Sequence, residues 1–163
     1  MTDVDIRRNP FFNQPWMMER PRGAENYKKW VRGWTDAFLE IAEIQNIQLI
    51  NKYDLRKMEP FNRLSDDDFD AIVKEYLDSP YCAYWGGDKI RVYWRTLDTW
   101  ANTLHQAAKE KDKNIILGLE TLGEFDARMA TIPSTDQTKI LQILVDRSKA
   151  RWVEKDNNVL KIL

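Results

Sequence analysis

The chain has 163 residues, 43% of them hydrophobic and 31% charged, with a net charge of −1. That is the composition of a soluble globular protein, with room for one ordinary domain or two small ones. It excludes a strong overall pull toward nucleic acid or an anionic membrane, and no apolar run approaches the roughly 18–20 residues that span a bilayer.

The opening MTDVDIRRNP lacks the apolar stretch of a secretory signal. Cys82 is the only cysteine, so no internal disulfide can form and a reducing, intracellular setting fits. Seven tryptophans are many for this length. Most are expected to fill two small cores, with some at subunit interfaces, where tryptophan is enriched.

Residues 1–23 show no sustained period. Pro10, Pro15 and Pro21 exclude a continuous helix, yet Phe11, Phe12, Trp16, Met17 and Met18 make the segment too aromatic for an ordinary disordered tail. It reads as an extended docking arm, because a Pro-rich segment loses little entropy on binding and its rings fill pockets. The alternative is that the arm folds back onto its own domain.

Residues 24–46 are predicted helical. Tyr27, Trp30, Trp34, Phe38, Ile41 and Ile44 recur at steps of three or four, with the charged residues off that stripe. A short strand is expected over 47–50 and a short helix after it. Ser65 is a good cap, followed by Asp66, Asp67 and Asp68 in the first turn of a helix that buries Phe69, Ile72, Val73, Tyr76 and Leu77 and stops at Pro80. Two strands, 81–85 and 89–94, then flank Gly86-Gly87-Asp88, a hairpin signal.

The stretch 89–104, KIRVYWRTLDTWANTL, joins the two halves of the chain. Ile90, Val92 and Trp94 alternate with Arg91, Tyr93 and Arg95, the pattern of a strand with one buried face. Thr96 ends the alternation, and Leu97, Trp100, Ala101, Leu104, Ala107 and Ala108 resume at helical spacing. A helix over 97–111 is therefore predicted as the joint between two units.

The last third repeats the order. A short apolar strand and turn occupy 114–122, closed by Gly123. Ser134 and Gln137 suggest a capping box after Pro133, and Ile140, Leu141, Leu144 and Val145 face inward. A second hairpin pairs 150–155 with 159–163. The two capping serines are 69 residues apart, and the hairpins keep about the same offset. Helix, short helix, helix and hairpin is the order of a winged helix. The expected architecture is α+β and mainly helical: an arm over 1–23, a first winged-helix domain over 24–111 and a second over 112–163.

Charge weighs against DNA. The helix in the recognition position of the first unit, 65–79, has six acids against Lys74, a net −5, and phosphate would repel it. Residues 134–163 carry six bases against four acids, a net +2, which fits a solvated face or an acidic protein or peptide partner. A nucleic-acid-binding regulator using that second unit with Arg7, Arg8, Arg20 and Arg22 is the alternative function. Catalysis has little to use. His105 is the only histidine, Cys82 has no base nearby in sequence, and there is no phosphate loop or metal-ligand spacing. The Asp66-Asp67-Asp68 run is better explained as helix-dipole stabilisation than as a cation site. No enzyme activity, cofactor, metal or small-molecule substrate is expected.

Tyr93-Trp94-Arg95-Thr96-Leu97-Asp98-Thr99-Trp100 resembles the wing-to-helix passage of the small ESCRT-II subunit, the vacuolar protein sorting-associated protein 25 family. In the matching order, Asn9-Pro10-Phe11-Phe12 with Pro15 resembles that family's N-terminal Pro-Pro-x-Phe arm. Trp34 sits midway along the first helix, and Phe61-Asn62 resembles a Phe-Asn-Asn element. The resemblance implies a non-enzymatic subunit of a membrane-remodelling machine, cytoplasmic and peripheral to endosomal or other internal membranes through its complex. The arm and first winged helix would dock onto larger ESCRT-II subunits, and the second would recruit an ESCRT-III subunit. Carried over by position, Pro10 and Phe12 are the docking anchors, with Phe11 and Pro15 beside them. Arg63 matches an arginine that meets acidic groups on the partners. Asn9 departs from the family's first proline, and 124–133 and the second unit match only in outline, so no residue is assigned to an ESCRT-III contact.

Overall fold

The computed structural model describes residues 14–111 and 115–163. The chain divides into two compact units between Trp94 and Arg95. The first unit runs α1 (Ala24–Gln45), β1 (Leu49–Asn51), α2 (Lys52–Lys57), α3 (Asp66–Asp78), β2 (Cys82–Tyr84) and β3 (Lys89–Val92). The second runs α4 (Leu97–Lys111), β4 (Ile116–Leu117), two 3-10 turns (Leu119–Glu124 and Ala127–Thr131), α5 (Ser134–Asp146), β5 (Ala150–Glu154) and β6 (Val159–Ile162). Each unit closes with a three-stranded antiparallel sheet whose last strand lies in the middle, in the orders β1-β3-β2 and β4-β6-β5. These are tandem winged helices.

The helices begin and end where local chemistry directs. Asn46, at φ 54°, closes α1 in the left-handed conformation that asparagine tolerates. The Asn51 side chain accepts the amide of Tyr53 and starts α2. Ser65 Oγ accepts the amide of Asp68 at 3.2 Å, and three aspartates occupy the first turn of α3. Thr96, where the strand alternation ends, caps the following helix: its Oγ1 accepts the amide of Thr99 at 3.1 Å. At the β2–β3 turn, Gly86 and Gly87 have φ of 94° and 57°, where a side chain would be strained.

The core of the first unit gathers Trp30, Trp34, Phe38, Phe61, Phe69, Ile72 and Tyr76. Phe38 stacks on Tyr76 at 4.8 Å between centroids, and Phe61 meets Phe38 edge-on at 5.6 Å. In the second unit Trp100, Leu104, Ile140, Leu144, Leu160 and Ile162 are fully buried. Of the seven tryptophans, Trp30, Trp34 and Trp100 are fully buried, Trp85, Trp94 and Trp152 are half-buried, and Trp16 is exposed.

Several local expectations are corrected. The helix α4 groups with the second unit, where it packs against α5, and so supplies that unit's first helix. The boundary expected at 111/112 therefore lies one helix too late. Arg91, expected on an outward face, is fully buried: its Nη1 donates to Gln48 O (3.1 Å), Gln48 Oε1 (2.9 Å) and Val92 O (2.6 Å), and its guanidinium lies 4.4 Å from the Tyr93 ring centroid. The strand ends at Val92, so Trp94 lies beyond it and donates its indole N–H to Ile47 O. The capping box at Ser134 does not form. Pro133 is the cap, and Gln137 is buried with its amide donating to Met129 O at 2.8 Å. The strand and turn expected over 114–122 are β4 and the 3-10 turn Leu119–Glu124, and Gly123 lies inside that turn rather than closing it.

Candidate partner-docking site

Pro10, Phe11 and Phe12 lie outside the described residues, which begin at Gln14. Pro15 opens a 3-10 turn, Pro15–Met18, at the position where a missing N–H costs nothing. Pro15 and Trp16 are exposed, and Trp16 shows 51% of its surface. Met17 points the other way and is fully buried. Its carbonyl oxygen accepts two indole N–H groups, from Trp30 at 2.6 Å and Trp34 at 2.9 Å. A carbonyl has two lone pairs, so one acceptor satisfies both donors inside a dry core.

The chain is fastened a second time three residues on. Arg20 donates its backbone N–H and its Nε to the Asp68 carboxylate (3.3 and 3.1 Å), and its Nη2 to Asp67 O (3.1 Å). Asp68 sits in the capped first turn of α3, so the helix dipole and the guanidinium act on the same carboxylate. The acidic first turn thus has internal work: Asp66 pairs with Arg56 at 3.0 Å and Asp68 with Arg20 at 3.1 Å, while Asp70 pairs with Lys52 at 3.1 Å.

Arg63 closes the 3-10 turn Phe61–Arg63 just ahead of the Ser65 cap, half-exposed and ion-paired with Glu59. Below it Arg56 donates to Phe61 O and Leu64 O, both at 2.7 Å, and lies 5.1 Å from the Phe69 ring centroid. The N-terminal end of α3 therefore gathers the fastened arm root and the Arg63 turn. Of the site residues expected from sequence, only Pro15 and Arg63 fall among the described residues, and both are exposed. Sequence reasoning placed Trp30 on a buried helix stripe and Asp68 in a helix's first turn, but it missed the bonds Trp30–Met17 and Arg20–Asp68 and the role of Arg56. Arg20 and Asp68 are 48 positions apart, and no local pattern pairs residues at that separation.

Burial pushes the Cys82 thiol up to about 12. Burial and the nearby Lys149 and Lys109 hold His105 below its ordinary value. Among the described residues no cluster of acids, histidines and cysteine could hold a metal ion. A groove of about 480 Å³ between α1 and the end of α3 has both signs of charge on its walls, Lys28 and Arg32 against Asp36, Glu75 and Asp78. Tyr27 donates its hydroxyl to Glu75 across it at 2.9 Å.

No family model matches the chain, and no curated protein matches it by sequence. Solved structures do. The crystal structure of subunit VPS25 of the endosomal trafficking complex ESCRT-II superposes with a TM-score of 0.72 at 18% identity, over 94% of this chain and 96% of that one. A chain of the crystal structure of the endosomal complex ESCRT-II (VPS22/VPS25/VPS36) gives 0.68 at 17% identity, over 94% and 97%. A further structure of the ESCRT-II endosomal trafficking complex gives 0.66 at 18% identity, over 95% and 98%. The chain therefore has the fold of the ESCRT-II subunit VPS25, at under one-fifth sequence identity.

Proposed function

We propose that this chain is an adaptor subunit of an ESCRT-II-like complex, a divergent counterpart of VPS25 that works by protein–protein docking and not by catalysis. The observation that carries this reading is the match in fold, over nearly all of both chains, to a subunit solved within a VPS22/VPS25/VPS36 assembly. A fold alone hosts many functions, so the arm root matters too. A chain gripped at Met17 and Arg20 has a fixed exit from the domain, which lowers the entropy lost when the preceding residues dock.

In this reading residues 1–23 are the docking arm. Pro10 and Phe12 enter pockets on the larger subunits, with Phe11 and Pro15 beside them. Arg63 exchanges its bond to Glu59 for acidic groups on the partner. The second winged helix recruits an ESCRT-III subunit, and the complex places the chain at endosomal or other internal membranes. Burying one Phe side chain is worth roughly 1.5–3 kcal/mol, and truncating a hot-spot residue costs at least ~2 kcal/mol.

Co-expression with candidate larger subunits, followed by titration calorimetry, tests the reading. Phe12→Ala should weaken the complex about 30-fold with an unchanged circular dichroism spectrum. Equal affinity in a folded Phe12→Ala protein rejects the arm as anchor.

A further inference from the structure

The groove between α1 and the end of α3 carries charges that its own walls leave unanswered. Lys28, Arg32 and Asp36 stand one turn apart along α1, and Asp78 lines the same groove from α3. All four are exposed, and among the described residues none of them is ion-paired. Lys28 and Arg32 are like charges four residues apart, which costs the helix a little. The one further charge in the groove, Glu75, is taken by the Tyr27 hydroxyl at 2.9 Å. Its apolar lining includes Val31, half-buried, and Tyr81, largely exposed.

We propose that the occupant is a segment of this same chain, Asp3-Val4-Asp5-Ile6-Arg7-Arg8, laid extended along the groove. The contact goes beyond the adaptor reading above and does not depend on it. Spacing and sign together select this segment. A helix rises about 1.5 Å per residue, so Lys28, Arg32 and Asp36 follow one another at about 6 Å. An extended segment advances about 3.3 Å per residue with alternate side chains on one side, so Asp3, Asp5 and Arg7 recur at about 6.6 Å. Run in the direction of α1, the segment sets Asp3 against Lys28, Asp5 against Arg32 and Arg7 against Asp36. Its other side offers Val4 and Ile6 to Val31 and Tyr81, and Arg8 to Asp78. Each charge of the segment then meets its opposite. The reverse direction sets Asp3 against Asp36 and Arg7 against Lys28, so the charges also fix the polarity.

The tether favours this segment over a partner's. The described chain begins at Gln14, just before Met17, whose carbonyl is held by Trp30 and Trp34 on the same helix. From Gln14 back to Arg8 an extended chain spans up to about 20 Å, and the row from Lys28 to Asp36 is about 12 Å long. A tethered segment acts at millimolar effective concentration, so exposed ion pairs, each weak alone, are enough. The test is amide NMR spectroscopy of the full chain, read at Ser79 and Tyr81, which line the groove and adjoin no altered residue. Asp5→Arg and Arg32→Asp should each shift these signals toward those of a chain lacking residues 1–8. The two changes together should return them toward wild type. A peptide of residues 1–8 added to the shortened chain should restore them at millimolar concentration, about fivefold less well with Asp5→Arg, and salt should oppose it. Circular dichroism confirms folding of each variant. The proposal is overturned if removing residues 1–8 leaves both signals in place, or if the paired reversal fails to restore them. It is also overturned if the signals respond only to an added larger subunit, because the groove then belongs to that partner. Phe12→Ala should leave both signals unchanged, so failure here and failure of the docking reading are told apart.

Discussion

Trp30 and Trp34, one helical turn apart on α1, donate their indole N–H groups to the same oxygen, the carbonyl of Met17. The helix period puts the two rings on one face, and the chain entering from the arm supplies the acceptor. Each indole would be costly to bury unpaired. The shared acceptor makes the last residues of the arm root part of the domain core.

A coupling between the two tryptophans follows. In Trp30→Phe or Trp34→Phe alone, the Met17 carbonyl keeps one donor. In the double variant it is buried with neither, and an unsatisfied buried group costs about 1–3 kcal/mol. The double variant should therefore lose about 1 kcal/mol or more beyond the sum of the singles. Urea unfolding of the four proteins measures this, and simple additivity rejects the shared-acceptor account.

Arg20 should behave differently. Its side chain is 42% exposed and its pair with Asp68 is a surface one, so Arg20→Ala is expected to cost under about 1 kcal/mol of global stability. Its effect is local. Hydrogen exchange across residues 14–22 should rise in the variant while that of α1 and α3 does not. Equal protection in both proteins contradicts a fastening role.

How much of this was readable beforehand depends on the range of the interaction. The Ser65 cap, the Thr96 cap and the helix Leu97–Lys111 rest on neighbours three or four residues apart, and the sequence pattern locates them. The two glycines of the first hairpin are equally local. Arg91 was misassigned because alternation assumes that a charged residue faces water. What buries it is a glutamine 43 positions away, whose backbone and side-chain oxygens take up the guanidinium. Gln137 fits a capping-box pattern, yet its amide serves Met129 O in a buried turn instead. At the site, the aromatic character of the arm was legible, but the Arg20–Asp68 latch and the paired indoles are tertiary contacts with no local signature.

The Arg91 arrangement carries its own prediction. A buried guanidinium is tolerable only while acceptors surround it. Gln48→Leu removes one of them, Oε1, at 2.9 Å, and should cost about 1–3 kcal/mol in thermal or urea unfolding. A neutral outcome means that the remaining contacts of Arg91 suffice.

Cys82 is buried, and burial raises its thiol to about 12 from 9.0. A thiol is reactive as the thiolate, so alkylation of the native protein at pH 8 should be slow and should track unfolding. The raised value also fixes a sign. The folded state holds this proton more tightly than the unfolded chain, so its contribution is complete below pH 9 and is lost as pH climbs from about 9 toward 12. Cys82→Ala should flatten that alkaline decline. Rapid labelling of the folded protein contradicts the burial argument.

On the acid side two groups in the second unit act in separate windows. His105 is held below 6.5, first by burial and then by Lys149 and Lys109, while a backbone hydrogen bond with Leu163 opposes the shift. The unfolded chain therefore takes up a proton near pH 6.5 before the folded one does, and stability falls as pH drops from there toward the lowered value. Asp126 is held below 3.8 mainly by its hydrogen bond from Arg128 at 2.9 Å, and its contribution is lost at more acid pH as its carboxylate protonates. Stability measured by urea unfolding should thus decline in two steps on acidification. His105→Gln should remove the earlier step alone and Asp126→Asn the later one alone. A variant that removes neither step, or both, shows that another group governs the acid response.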